Sequence, residues 1–249
     1  MNMKVNLRIP TSLNEITLGQ YQEFAKLDGT LENTHDTAIQ LKIVEIFCKV
    51  PEIVVRNMKA TDIAEVCEII NTMFNTNHQL INKFSLGGVD YGFIPELDDM
   101  TFGEYMDLDT FISDNDNLHR AVNVLFRPIE HKRGARYTIK EYNPDTSENA
   151  KDFPLDVVLG AIVFFLQFRQ GLIDGYAELF GREEREGFST ASNFTAKWGW
   201  FNALYGIAQG DITRFKNITE LNVHQCLTYL EFTKEKNQIE AAQIKNKFK

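Results

Sequence analysis

The residues of this chain that could carry chemistry are five histidines, three cysteines and a run of acids. His35, His78, His119, His131 and His224 are scattered, and only His224 has a cysteine close by, at Cys226. Two positions apart on a helix, those side chains point about 200° away from each other, so they cannot share a metal locally. The chain contains no HExxH, CxxC or GxSxG, and neither phosphate-binding glycine pattern, GxxxxGK[ST] or GxGxxG. Between Glu96 and Asp116 lie Asp98, Asp99, Glu104, Asp107, Asp109, Asp114 and Asp116, with no Lys or Arg among them. Asp114-Asn-Asp116 invites a calcium-loop reading, but such a loop needs an oxygen ligand fifth and Gly sixth, where this chain has Leu118 and His119. A solvated face, or an acidic face for a basic partner, is the plainer reading. We therefore expect no catalytic residue, no metal site and no cofactor.

Composition points the same way. Of 249 residues, 43% are hydrophobic and 24% charged, enough apolar surface to fold. The 19 Phe against 2 Trp favour packing over catalysis. A formal charge of −9 repels a phosphate backbone, so nucleic acid is not an expected partner. The Lys-rich C-terminus also carries Glu235 and Glu240 and reads as a solvated helix face. Cys48, Cys67 and Cys226 have no close spacing, which fits reduced thiols and not a disulfide framework. MNMKVNLRIP lacks the apolar run of a signal peptide. The longest apolar run, Val157 to Leu166, falls short of the ~20 residues of a membrane helix. A cytosolic chain, with no membrane partner, is the expectation.

The elements expected to position these residues are mostly helical. Val5, Leu7 and Ile9 alternate up to Pro10, a short N-terminal strand. Thr17 and Gln20 have capping-box spacing, with Ile16 and Tyr21 as the staple, and start a helix to about Leu27. Asp28 to Asp36 reads as a loop. Two helices follow, one through Ile39, Ile43, Ile46 and Phe47, the other through Ile63, Val66, Ile70 and Phe74. Phe84 and Leu86, then Gly87-Gly88, then Val89, Tyr91 and Phe93 predict a β-hairpin around 82–94. Leu118, Val122 and Leu125 predict a helix ending near Pro128, HKRGAR a basic loop, and Tyr137–Tyr142 a strand.

NPDTSENAKD is the expected boundary between an N-terminal α+β part, 1–145, and an all-helical part, 150–249. In the second part a long helix runs from Pro154 to about Phe180, apolar on nearly every side through Phe168 and so expected to be buried. REEREG is a surface connector. A helix through Phe194, Trp198, Phe201, Leu204 and Ile207 precedes a final one from about Asn222. That last helix is anchored by Val223, Leu227 and Leu230, loses its apolar face at Lys234 and Asn237, and regains it at Ile244 and Phe248. The fold class is thus mainly α, within α+β: a helical bundle with the short strand and the hairpin.

Ile16-Thr-Leu-Gly-Gln-Tyr-Gln-Glu-Phe24 resembles Met100-Thr-Phe-Gly-Glu-Tyr-Met-Asp-Leu108. Both place Thr as N-cap, Gln20 or Glu104 at N3, and a staple pair, Ile16–Tyr21 or Met100–Tyr105. A duplicated strand-to-helix unit and convergence on good capping both account for this. Trp198-Gly-Trp200 and the aromatics near it read either as a docking surface or, for Trp198, as core at helical spacing from Phe194 and Phe201.

Three stretches together, IPTSLNEITLGQYQEF, YGFIPELDDMTFGEYMDLDTFI and WGWFNALYGIAQGDITRFKNITELNVHQCLTYLEFTKEK, resemble small proteins encoded among the tail genes of long-tailed bacteriophages. The last looks like the C-terminal part of tail assembly chaperones: a Trp-containing helix, Gly-Asp-Ile, then a helix with Tyr229-Leu230 and Phe232 ahead of Glu235-Lys236. The resemblance implies a non-enzymatic virion-assembly protein of the host cytoplasm, with other phage structural proteins as partners. Foremost is a tape-measure-like helical protein, whose apolar faces need cover until the tail tube polymerises around it. Self-association is left open. The alternative is a structural component of the tail, baseplate or connector, which would be virion-associated. The residues expected to bind the partner are Trp198, Trp200, Tyr205, Ile244 and Phe248.

Overall fold

The computed structural model describes residues 7–27, 37–180 and 190–247, with only the backbone for 190–197. Along the chain the helices and strands are α1 (Leu18–Ala25), α2 (Thr37–Cys48), α3 (Glu52–Val55), α4 (Ala60–Phe74), β1 (Lys83–Leu86) and β2 (Val89–Phe93). There follow α5 (Phe102–Phe111), α6 (Leu118–Leu125), β3 (Phe126–Arg133) and β4 (Arg136–Ile139). The remainder is helical: α7 (Leu155–Gly175), α8 (Ala177–Phe180), α9 (Thr190–Ile207), α10 (Phe215–Thr219) and α11 (Val223–Lys247). The fold is mainly α, with one small antiparallel sheet in the order β1-β2-β3-β4.

The chain divides into two compact units, and neither is continuous. Unit 1 holds Met1–Phe93 and Leu108–Phe164; unit 2 holds Ile94–Asp107 and Phe165–Lys249. The boundary expected at 145–150 is therefore wrong. Its polar segment is a run of 3₁₀ turns, Pro144–Asp152, that packs on α6 and α1 inside unit 1. Asn143 caps it by accepting from the amide of Asp145, and Ser147 and Ala150 are buried. Polarity marked it as a linker, but its backbone is satisfied locally.

Each unit is built around the same junction. Thr17 caps α1: its hydroxyl accepts from the amide of Gln20, whose Oε1 accepts from the amide of Thr17. Thr101 and Glu104 do the same for α5, at 2.8 and 3.2 Å. A cap residue has extended backbone, φ −95° and ψ 156° at Thr17, so the chain beside it can pair as a strand does. Thr17 bridges to Pro154: Leu18 N donates to Phe153 O and Leu155 N to Ile16 O, both at 2.9 Å. Thr101 bridges to Asn222 in the same way, with Phe102 N donating to Leu221 O (2.7 Å) and Val223 N to Met100 O (3.0 Å). Two helix starts thus satisfy each other's exposed amides, α1 with α7 in unit 1 and α5 with α11 in unit 2.

The glycine that follows each cap belongs to the same device. A Cβ on Gly19 would lie 3.2 Å from the carbonyl oxygen of Lys151, and one on Gly103 would lie 3.1 Å from that of Thr219. Lys151 and Thr219 each stand two residues before the bridging carbonyl, so the match is residue for residue. A short 3₁₀ turn precedes each copy, Leu13–Glu15 and Leu97–Asp99, and buries its leucine. The segment pairs Ile16–Phe24 with 153–164, and Met100–Leu108 with 221–232, are two copies of one structural unit.

Unit 1 adds the sheet to this junction. Gly87 and Gly88, at φ 57° and 81°, make the two-residue turn that the paired alternating runs predict. Phe84 and Tyr91 stack at 5.2 Å, and both meet the ring of Phe153 edge-on, at 4.9 and 4.7 Å. The helix expected to reach Pro128 stops instead at Leu125. A residue before proline is pushed from helical to extended backbone, so Arg127 enters β3. Pro128 still accepts from the amide of Lys140. The basic stretch HKRGAR is the end of β3 and its turn, with Gly134 at φ 62°. Elsewhere in the unit, Phe47 lies between Phe24 (5.5 Å) and Phe74 (5.9 Å), joining α1, α2 and α4.

Two further expectations are corrected. Leu7–Pro10 form no strand, while Val5 lies outside the described residues. Helix α7 is not buried all round. Phe165 is fully buried, but Val163, Phe164 and Leu166 are 40%, 41% and 45% exposed. Its 21 residues, with an 18-residue stretch of mean hydropathy 1.5, are long and apolar enough to cross a membrane by length and composition. The apolar run looked too short because Gln167 interrupts it, although a span tolerates such a residue. The core helix of a folded protein meets the same criterion, and Phe165, Ala161 and Val158 are buried in this one.

Candidate functional site

Among the described residues no three His, Cys, Asp or Glu side chains gather as metal ligands. Two of the histidines, His119 and His224, serve as ties. His119 is buried between Gln22 Nε2, 3.2 Å from its Nδ1, and Glu148 Oε1, 3.2 Å from its Nε2. His224 spans Tyr176 Oη and Asp98 Oδ1, both at 3.0 Å, and so holds the start of α11 within unit 2. The burial of His119 could have been read from its place one turn before the apolar Val122-Asn-Val-Leu125 run. The three thiols are buried, and burial pushes each up to about 11, so they are inert as nucleophiles at neutral pH.

The acidic run is dispersed. Asp114 accepts from the amide of Asp116 and from Asn117 Nδ2, which hold its carboxyl below the usual range, with the side-chain bond first. Asp116 pairs with Lys26 at 3.3 Å, and Glu104 closes the α5 cap. In unit 1 the sheet and the 140–149 segment enclose a cleft of about 730 Å³, walled by Tyr91, Asn123, Arg127 and Phe153. Asn123 is committed there to the carbonyl of Asn143 and the hydroxyl of Thr146. Lys140 stands at the rim with Glu130 and Glu141, so the charges offset one another.

What stands out is apolar surface on unit 2. Helix α9 is broken at Gly199, whose φ of 43° and ψ of −125° are far from helical. The break sends the two tryptophans in different directions. Trp200 turns inward, edge-on to Tyr105 (5.3 Å) and Phe102 (5.7 Å) and near Phe180 (6.5 Å). Trp200 is half-buried and packs against the buried rings of Phe102 and Tyr105, so less of it is open to a partner than of Trp198. Trp198 stays 42% exposed and packs on Phe201 (5.6 Å), itself 48% exposed and edge-on to Phe215 (5.6 Å). Tyr205 is 51% exposed, one turn beyond Phe201. Spacing alone puts Trp198 and Trp200 on opposite sides of a helix, but it does not say which side the rest of the chain covers.

Helix α11 packs on α8 and α9 with Val223, Cys226 and Leu227 buried. Lys234 Nζ donates to the carbonyl of Leu179 at 2.8 Å. From Glu235 to Lys247 every residue is exposed, Ile239 and Ile244 among them. Ile244 is thus on the surface; Phe248 lies outside the described residues. Compared with models of protein families, with curated proteins and with solved structures, the chain matches none.

Proposed function

We propose that this chain is a non-enzymatic assembly protein of a long-tailed bacteriophage, acting in the host cytoplasm by covering a helical, tape-measure-like partner. The sequence resemblance supplies the phage setting. The single observation that carries the binding role is the end of α11, helical to Lys247 with every residue from Glu235 exposed, Ile239 and Ile244 among them. A helix that buries nothing of its own is marginal in water and gains by docking its apolar positions on another helix. The exposed aromatic cluster of Trp198, Phe201 and Tyr205 adds rings of the kind that dominate interfaces. The test is mass spectrometry of purified virions beside the infected-cell lysate. An assembly factor is present in the lysate and absent from particles; stoichiometric presence in particles would instead make it a structural component of the tail.

A further inference from the structure

The repeated junction gives each residue of α11 a counterpart in α7, and the counterparts differ in what covers them. In unit 1, Phe153 is 1% exposed beneath Phe84, Tyr91 and Phe126 of the sheet. Gly160 lies against the backbone of Gln79 and Leu80, where the chain enters β1, so closely that a Cβ has no room. Phe164 receives Phe93, at the end of β2, edge-on at 5.7 Å. These three positions line up along α7 and its start, and a β-hairpin with its flanks packs on each, burying Phe153 and Gly160 and leaving Phe164 41% exposed.

Their counterparts in unit 2 are Leu221, Thr228 and Phe232. Leu221 is 43% exposed, Phe232 is 63% exposed, and Thr228 is on the surface. Ala161, fully buried, corresponds to Tyr229, 38% exposed. This side of the repeat is packed by β structure in unit 1 and is more exposed in unit 2, most of all at Leu221 against Phe153, yet the exposed copy keeps a leucine, a tyrosine and a phenylalanine there.

We propose that the side of α11 formed by Leu221, Thr228, Tyr229 and Phe232 is a docking surface for an aromatic-bearing β-hairpin of a partner chain. Unit 1 displays the mode: one ring packs edge-on against the Phe at the third helical turn, and backbone crosses the helix one turn before it. Thr228 in place of Gly160 holds the backbone further off, so the guest makes its main contact at Tyr229 and Phe232. This site adjoins the free end of α11, since Phe232 lines a groove with Lys236 and Ile239, but it does not depend on a tape-measure partner.

The probe is a backbone-cyclised peptide of residues 78–95, since an isolated hairpin is marginal in water. Titrated into the full chain, it is expected to bind saturably, with amide NMR shifts centred on 228–232. Phe232→Ser, at an exposed position, is expected to keep the native spectrum and weaken binding about tenfold or more, the effect of losing one buried ring. A chain truncated after Lys236 is expected to bind the peptide unchanged, which separates this site from the proposed function. Absence of saturable binding, or equal binding by Phe232→Ser, would overturn the proposal. Self-association through Phe232 without affinity for the peptide would also overturn it, making the surface an interface between copies.

Discussion

Gln22 Nε2 lies 3.2 Å from Nδ1 of His119, a contact that ties α1 to the buried imidazole of α6. The same amide nitrogen donates to the carbonyls of Asn115 (2.6 Å) and Asp116 (3.1 Å), so it cannot turn away. Nδ1 must therefore be the acceptor, and Nε2–H donates to Glu148. Burial, then the positive charge of Lys151, holds His119 below its ordinary value of 6.5, against the pull of Glu148. A histidine with a lowered folded pKa binds its proton more readily when unfolded. Its contribution is complete above about pH 6.5 and is lost as pH falls from there toward the folded value. Urea midpoints measured from pH 7.5 to 5.5 should fall, and His119→Gln should flatten that slope; an equal slope in the variant would remove His119 as its source.

The two caps make a paired prediction. Thr17→Ala and Thr101→Ala each remove the oxygen that accepts from an N3 amide, and each should cost about 1 kcal/mol in urea unfolding. If either variant unfolds at the parent midpoint, solvent replaces the cap at that junction.

Adjacent rings on α7 should behave differently. Phe165 is fully buried, so Phe165→Ala should cost about 3–5 kcal/mol. Phe164 is 41% exposed, and Phe164→Ala should cost only about 1–2 kcal/mol. Equal losses would mean that the two sides of α7 are equally packed.

Much of this fold is legible in the chain because its signals are local. Thr17-Leu-Gly-Gln20 and Thr101-Phe-Gly-Glu104 announce their caps, and Gly87-Gly88 announces the hairpin. The partners of those junctions, Pro154 and Asn222, were not legible, because a bridge between distant segments leaves no periodic mark in sequence. Hence the two-unit division was misplaced, although half of the repeat was visible. The different burial of Trp198 and Trp200 has a related reason: spacing separates the two rings, but which of them meets Phe102 and Tyr105 depends on distant packing. Phe164 was misjudged because an all-apolar helix gives no phase from which to tell its covered side.

The free end of α11 should exchange its amides quickly. The residues from Glu235 to Lys247 are exposed, so hydrogen exchange should show little protection from Lys236 onward and strong protection at Val223–Leu227. Uniform protection along α11 in the monomer would show that this end is held by the rest of the chain.

The central claim, that α11 reaches out to hold a helical partner, is tested most directly by removing that reach. The measurement is recovery of a co-expressed tape-measure-like protein on the full chain and on a chain ending at Lys236, with unchanged circular dichroism below residue 236 as the control for folding. Loss of most of the partner, with the fold intact, is the predicted result. Equal recovery on both chains would contradict the account and take Ile239 and Ile244 out of the interface.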